Sequence, residues 1–341
     1  MTFALAVQQT QQAAEKSIGA PWQWAAFLGF VAVMLLLDLG VFHRKAHTIR
    51  IREAVAWTLV WIVLALLFNA GIWRFYGSKL ALEFLTGYLI EKALSVDNIF
   101  VFIIIFSYFK VPPAYQHRVL FWGILGALLM RGLFIWAGSE LIENFHFMIY
   151  VFGGFLIFTG IRILLPRIEE IHPERNIAIR FFRWILRVAP AEREGVPVDY
   201  GAHFLVRLDG RTLVTPLLMV LFVVEVTDLI FAVDSIPAIL AISNHRFIIY
   251  TSNIFAILGL RALYFVVGGM IDRFHYLKVG LGLILVFIGI KMASQDLIEE
   301  KLGDKLSPVI SLAVVVVLLA GSIVASLLRP ATKEPHPGTP S

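Results

Sequence analysis

Long apolar segments separated by short charged loops run through most of the 341 residues. Nine segments have the roughly 20 residues that a helix needs to cross a hydrocarbon layer about 30 Å thick. In lipid the backbone must satisfy its own hydrogen bonds, and the alternating strands of a membrane barrel are not seen. The pattern therefore predicts an all-α, polytopic membrane protein with nine spans, at 22–42, 54–73, 81–109, 119–138, 147–165, 214–241, 247–271, 276–294 and 308–328.

Composition agrees with lipid as the solvent. The chain is 59% hydrophobic and 16% charged, and its mean hydropathy is +0.82, which exceeds what one soluble core can hide. No cysteine is present, so disulfides, thiolate metal sites and cysteine nucleophiles are excluded. The basic charge lies in loops beside the spans, so topology explains it better than a nucleic-acid partner does.

The positions of Lys and Arg predict the orientation in a bacterial inner membrane. The loop 43–53 is basic and the stretch 165–214 holds eight Arg, which places both in the cytoplasm. The loop 139–146 has two Glu and no Lys or Arg, which places it outside. We therefore expect an outer N-terminus and a cytoplasmic C-terminus, although Lys301 and Lys305 oppose this assignment.

The central loop, 166–213, is predicted to contain two local structures. The segment NIAIRFFRWILRVAP separates apolar from basic positions, as in a helix that lies on the membrane surface. Asp209-Gly210 between HFLVRL and RTLVTP predicts a hairpin. We expect a loop that joins the two halves, with a regulatory role as the alternative.

An internal repeat divides the chain. Residues 145–164 align without gaps on 274–293, sharing Phe-His at the start and the pattern F-x-G-I-basic near the end. Upstream, EKALSVDN (91–98) corresponds to DLIFAVDS (228–235). Each unit contains three spans, and because three is odd the copies are inverted, as in many secondary transporters. The predicted organisation is a tail (1–21), two spans (22–73), one repeat (81–165), the loop (166–213), the second repeat (214–294), a last span (308–328) and a disordered tail (329–341).

The repeat concentrates ionisable residues at membrane depth, where each is costly and therefore a candidate for function. Three cations at the same depth, interpreted as counter-ions or gates, leave two net negative charges, which one divalent cation would neutralise. Glu83, at the outer start of its span, is expected to be solvated. The acids are Glu91, Asp97, Glu225, Asp228 and Asp234, and the cations are Lys92, Arg131 and Arg261.

Helical geometry refines the candidate site. Residues seven apart share a stripe, so Glu91 aligns with Asn98 and Asp228 with Ser235. Asp97 and Asp234 lie about 120° away on an intact helix, so all the acids converge only beside a narrow pocket or where a helix unwinds. Pro237 favours unwinding, because it cannot donate to the carbonyl of Val233. Carboxylate, amide, hydroxyl and carbonyl oxygens suit Mg²⁺, Ca²⁺ or Mn²⁺.

These segments resemble a known family. EKALSVDNIFVF, EVTDLIFAVDSIPAI, TSNIFAILGLRALYF and LVFIGIKM are similar to the signature segments of the TerC family, and HFLVRLDGRTLVTPL resembles its Alx branch. The resemblance covers about residues 25 to 325 and implies a relation to inverted-repeat cation exporters of the LysE type, manganese efflux and, historically, tellurite resistance. It implies metal contacts for Glu91, Asp97, Asn98, Glu225, Asp228, Asp234 and Ser235.

The expected function is export of Mn²⁺ as substrate, with Ca²⁺ as a further candidate and inward protons as the counter-ion. One alternative is a membrane protein that delivers Mn²⁺ to secreted metalloproteins, and another is a component of tellurite resistance. No organic cofactor is expected. An intramembrane aspartyl protease is disfavoured, because the chain has neither a Tyr-Asp dipeptide nor Gly-x-Gly-Asp.

Overall fold

The structure is a computed structural model that describes residues 18–42, 51–165, 188–190, 192–193, 196–198, 200–208, 210–268, 276–296 and 307–328. Within these ranges it is predominantly helical. The helices are α1 (Pro21–Phe42), α2 (Ile51–Tyr76), α3 (Ser78–Tyr108), α4 (Pro113–Asn144), α5 (Met148–Leu164), α6 (Pro216–Leu240), α7 (Arg246–Leu258), α8 (Leu260–Gly268), α9 (Leu277–Ala293) and α10 (Pro308–Leu328).

Each predicted span coincides with a helix or, for 247–271, with the pair α7 and α8. Four described helices, α2, α4, α6 and α10, are long and apolar enough to cross a membrane. The pair α7 and α8, bent by 43°, makes a fifth if it is one span, and shorter apolar helices lie in α1 and α5. Glu91, Lys92 and Asp97 set α3 apart from these apolar spans. The chain is a multi-helix membrane protein, and the count of nine spans stays a prediction.

Two short hairpins lie in the central loop. Strands β1 (Glu192–Arg193) and β2 (Val196–Pro197) pair antiparallel. Strands β3 (Leu205–Leu208) and β4 (Arg211–Val214) form the hairpin expected at Asp209-Gly210, with Leu205 opposite Val214. Gly210 has a φ of +75°, the left-handed conformation that glycine adopts without strain in such a turn. The predicted amphipathic helix, the basic loop after α1 and the tail 329–341 lie largely or wholly outside the described residues.

The helices of the two repeats pack in reciprocal pairs. The first helix of one repeat contacts the second helix of the other, so α3 packs against α7 and α4 against α6. The third helices, α5 and α9, pack against each other. Helix α3 also contacts α2, α6, α8 and α10, and buried side chains such as Phe84, Ile90 and Ile99 fill these contacts. Because α3 contacts helices on several sides, including those of the other repeat, its polar residues lie in the centre of the molecule.

Glycines bring the backbones of α5 and α9 into direct contact. A Cβ at Gly160 would lie 2.6 Å from the Gly282 carbonyl oxygen, and one at Gly289 would lie 2.6 Å from that of Gly153. The converse contacts, Gly282 on Gly160 and Gly153 on Gly289, would both be 3.0 Å. In the sequence alignment Gly153 corresponds to Gly282 and Gly160 to Gly289. The two helices are therefore antiparallel, and a local two-fold axis exchanges their contacts.

We expect Gly160→Ala to destabilise the protein, because its methyl group would meet the backbone of α9 and force the helices apart. Overpacking of this kind costs about 1 to 3 kcal/mol. Gly154→Ala is the matched control, since a Cβ there meets nothing within 4 Å. Thermal unfolding of the purified protein in detergent measures both. Equal midpoints for the two variants would show that the glycine contact does not hold α5 against α9.

Candidate cation site

A cavity of about 620 Å³ lies among α3, α5, α6 and α9. Its polar lining is assembled from both repeats, with Asp97 and Asn98 from α3 and Asp234 and Ser235 from α6. Arg162 and Leu165, at the end of α5, are exposed and form part of its rim. The cavity thus lies towards the end of the molecule from which the central loop departs, which the charge distribution predicts to be cytoplasmic.

The repeat-related aspartates both line this cavity. Asp97 and Asp234 are half-buried, and the Thr159 hydroxyl of α5 donates a hydrogen bond to Asp234 Oδ1 at 3.2 Å. Asn98 and Ser235, which follow the two aspartates in the sequence, are each 2% exposed and also reach the cavity. Carboxylate, amide and hydroxyl oxygens therefore converge here from both repeats, as hard divalent cations require.

The other two repeat-related acids, Glu91 and Asp228, form ion pairs with a buried arginine. Arg131 of α4 donates to both oxygens of Asp228, with Nη2 3.1 Å from Oδ1 and Nε 3.3 Å from Oδ2. Its Nη1 forms an ion pair with Glu91 and lies 3.4 Å from the Ser235 hydroxyl. The Asn98 amide also donates to Asp228, at 3.3 Å. The guanidinium therefore connects α3, α4 and α6 at one point, as the counter-ion role predicted for Arg131 requires.

The seven predicted ligands do not form one cluster. Glu225 lies one turn before Asp228 and packs against Gly126 of α4, outside the lining of the large cavity. Among the described residues, no three His, Cys, Asp or Glu side chains form a group that could hold a metal ion. Two acids face the cavity and two face Arg131, which is the separation of about 120° expected on intact helices. The complete ligand set stays a prediction.

The expected unwinding at Pro237 is wrong. Helix α6 continues through Pro237 to Leu240. Pro237 removes one backbone donor, but it stands in the last turn, where the loss interrupts a single bond to the Val233 carbonyl. Buried packing by the neighbouring Ile236 and Ala238 keeps the turn helical.

The other two predicted counter-ions, Lys92 and Arg261, lie apart from each other. Lys92 donates to the Ala256 carbonyl at 3.1 Å and lies beside Gly259, where α7 gives way to α8. A cation at the end of α7 is favourable because the carbonyls there carry partial negative charge. Arg261, the repeat counterpart of Arg131, is 3% exposed in α8.

The opposite end of the molecule is held by polar contacts. Glu83, expected to be solvated, is 7% exposed and accepts a hydrogen bond from Ser243 at 2.6 Å, so that prediction is wrong. Ser243 lies between α6 and α7, whose packing against α3 covers the carboxylate. Nearby, Arg246 forms ion pairs with Glu140 at 2.8 Å and Glu143 at 2.6 Å. These contacts tie the ends of α3 and α4 to the start of α7.

Three cavity residues were not predicted from the sequence. Thr159, Arg162 and Lys278 all line it. Arg162 could have been predicted, because it is the basic residue of the repeated pattern F-x-G-I-basic. Thr159 could not, because Ile288 occupies the equivalent position in the second repeat.

The fold and the site define a multi-helix membrane protein with a polar, charged cavity among its helices. The family described as "Integral membrane protein TerC family" matches residues 76–334. The chain belongs to the TerC family, as the signature segments predicted.

Several relatives match along nearly their whole length. An uncharacterized membrane protein, STKORF319, of Myxococcus xanthus is 52% identical over 313 residues, covering 92% of this chain and 94% of its own. The protein Alx of Escherichia coli (strain K12), whose name describes a membrane-bound redox modulator, is 45% identical over 312 residues, covering 89% of this chain and 95% of its own. No solved structure matches the chain.

The two pairs of acids should respond differently to neutralisation. Asp228→Asn leaves the buried guanidinium with one carboxylate fewer, and breaking such a pair costs about 3 kcal/mol or more. Asp234→Asn keeps an oxygen for Thr159 and changes a half-buried group, so we expect a loss below about 1 kcal/mol. Thermal unfolding of the two purified variants and the unchanged protein in detergent measures both losses of stability. A larger loss for Asp234→Asn would contradict the division into a paired and a cavity-facing set.

Proposed function

We propose that the protein is an inner-membrane carrier that exports divalent cations, with Mn²⁺ as its main substrate and Ca²⁺ as a second one. The observation that carries the proposal is the cavity in which Asp97 and Asn98 meet their repeat counterparts Asp234 and Ser235. These residues supply hard oxygen ligands from two halves that can move relative to one another. Relative movement of the halves would then open the site to one side of the membrane at a time.

The distribution of charge within the cavity supports entry of a cation. Arg162 and Lys278 also line it, but both are exposed side chains at helix ends, where long basic residues extend into water. Asp97 and Asp234 are half-buried, so solvent screens their charges less. Behind them Arg131 faces two carboxylates, so this buried group is negative by one charge when both are ionised. The attraction for a cation therefore increases with depth.

Packing supports the inverted repeat that the carrier requires, and nine spans are part of the same proposal. The reciprocal glycine contacts place a two-fold axis across the antiparallel pair α5 and α9. If both helices cross the bilayer, that axis lies in the membrane plane, which is the symmetry of inverted repeats. The basic loops then face the cytoplasm, and so does the cavity. In this orientation the chain has its N-terminus outside and its C-terminus inside.

Export needs a driving force. The inside-negative potential retains cations at about 2.3 kcal/mol per charge for each 100 mV, and a divalent ion carries two charges. Inward protons supply this energy, and the carboxylates that release the metal are the groups that would accept them. We therefore propose exchange of metal for protons.

The second candidate is a binding protein that delivers Mn²⁺ to secreted metalloproteins, which would use the same oxygen ligands without net flux. It differs from export in one measurable quantity, since the cytoplasmic content of Mn²⁺ would stay unchanged when the protein is deleted. A redox role like the one in the name of the Alx relatives could not use thiol exchange within these 341 residues, which contain no cysteine.

We expect Asp97→Asn and Asp234→Asn each to lower Mn²⁺ flux at least tenfold, because each removes a charged ligand from the cavity. A tenfold change corresponds to about 1.4 kcal/mol. The measurement is uptake or release of Mn²⁺, Ca²⁺, Mg²⁺ and protons by vesicles containing the purified protein. Asp296→Asn is the matched control, since Asp296 contacts Tyr150 and His146 away from the cavity. Flux that is equal in all three variants would refute the site.

Cross-linking α4 to α7 at the end of the molecule opposite the cavity should stop the transport cycle. The side chains of Glu143 and Arg246 are 58% and 37% exposed and in contact, so Glu143→Cys with Arg246→Cys can be bridged through two disulfides by a short bis-methanethiosulfonate. We expect Mn²⁺ flux to fall at least tenfold on bridging and to recover on reduction. The control pair, His146→Cys with Asp296→Cys, connects positions beside α5 and α9 that the glycine contact already holds. Unchanged flux in the first bridged pair would show that this end does not open.

A further inference from the structure

We propose that Arg131 is a movable gate that separates the cavity from the buried carboxylates Glu91 and Asp228. This inference rests on the proposed transport function and assigns a role within the same site. The guanidinium occupies the position next to Glu91 and Asp228 that a transported cation would take. It must therefore leave Asp228 before a transported cation can pass between the halves.

The position of Arg131 divides the acids. It lines the cavity together with Asn98 and Ser235. Glu91 and Asp228 do not line that cavity, and they are 1% and 3% exposed behind the guanidinium. On the far side, Asp228 borders a separate void of about 10 Å³ beside Gly123 and Leu260, too small to be a route. In this conformation Arg131 is therefore the wall between the cavity and the second pair of acids.

The bonds of Arg131 are suited to exchange. Asp228 holds the guanidinium through two hydrogen bonds of 3.1 and 3.3 Å, while the contact with Ser235 is 3.4 Å. A buried guanidinium cannot lose its proton, so it can leave Asp228 only for other acceptors. Asp97 and Asp234 line the same cavity and provide them. A cation that replaces Arg131 at Glu91 and Asp228 would leave the guanidinium free to turn towards these aspartates, which keeps every buried charge compensated.

This exchange links substrate binding to helix movement. Arg131 belongs to α4, whereas Glu91 and Asp228 belong to α3 and α6, the first helices of the two repeats. Withdrawing the guanidinium breaks the polar connection among these three helices at their crossing. A cation that took its place would bind α3 and α6 and release α4, so the polar contact between the two repeats would pass from α4 to α3 as the gate opens.

Thiol labelling tests the gate without a transported ion, and the native chain has no cysteine to contribute background. Glu91→Cys, which keeps both hydrogen bonds between Arg131 and Asp228, is introduced alone and together with Arg131→Met. Both proteins are exposed in membrane vesicles to a small cationic methanethiosulfonate. We expect Glu91→Cys to react slowly when Arg131 is present and at least tenfold faster with Arg131→Met. Thr159→Cys, which lines the cavity, should react rapidly in either background.

Two controls separate gating from charge and from misfolding. Arg162→Met removes a positive charge from the same cavity without opening the wall, so labelling of Glu91→Cys should change less than twofold. Arg131→Lys keeps a charge but loses the two-bond geometry, and we expect an intermediate rate. It also replaces Arg131→Met if that variant does not accumulate.

Rapid labelling of Glu91→Cys with Arg131 intact would overturn the gate. So would labelling that is no faster with Arg131→Met or Arg131→Lys than with Arg131 itself. Equal acceleration by Arg162→Met would overturn it too, because the effect would then be one of charge alone. Since labelling needs no metal, a protein that passes this test but carries no Mn²⁺ would refute the proposed substrate and leave the gate standing. A protein that carries Mn²⁺ but fails the labelling test would refute the gate and leave the proposed substrate standing.

Discussion

The bond between the Arg131 guanidinium and Asp228 is the interaction on which the centre of the molecule depends. A guanidinium that is 2% exposed in a membrane protein must be compensated by opposite charge, and Asp228 and Glu91 supply it from two different helices. This requirement fixes the crossing of α3, α4 and α6. It also explains why four acids at related positions fall into two environments, one pair held by the arginine and one pair open to the cavity.

Much of the fold could be predicted from the sequence, because lipid imposes strict rules on length and polarity. Helices were found at all the predicted spans, and the Asp209-Gly210 hairpin lies where its turn residues indicated. The repeat alignment pairs Gly153 with Gly282 and Gly160 with Gly289, whereas the contacts join Gly153 to Gly289 and Gly160 to Gly282. The local sequence pattern was sufficient to predict the helices and the hairpin, because hydropathy and turn chemistry act over a few residues.

The site was harder to predict because it depends on contacts between distant segments. Periodicity placed Glu91 and Asp97 on different faces of one helix but did not show which face would meet Arg131. Glu83 was expected in solvent, yet Ser243, distant in sequence, covers it. Pro237 was given the effect it has in the middle of a helix, whereas it lies in a last turn held by packing. Thr159 departs from the repeat, so symmetry could not identify it.

The glycine contact between α5 and α9 has a mechanical consequence. At Gly153, Gly160, Gly282 and Gly289 the two backbones touch, and side chains of the facing helix, such as Val286 and Ile157, flank the contact. Side chains in an interface can yield by changing rotamer, whereas backbone atoms in contact cannot, so the distance between α5 and α9 is fixed. Relative movement of the halves can therefore be a rotation about this pair but not a separation at it.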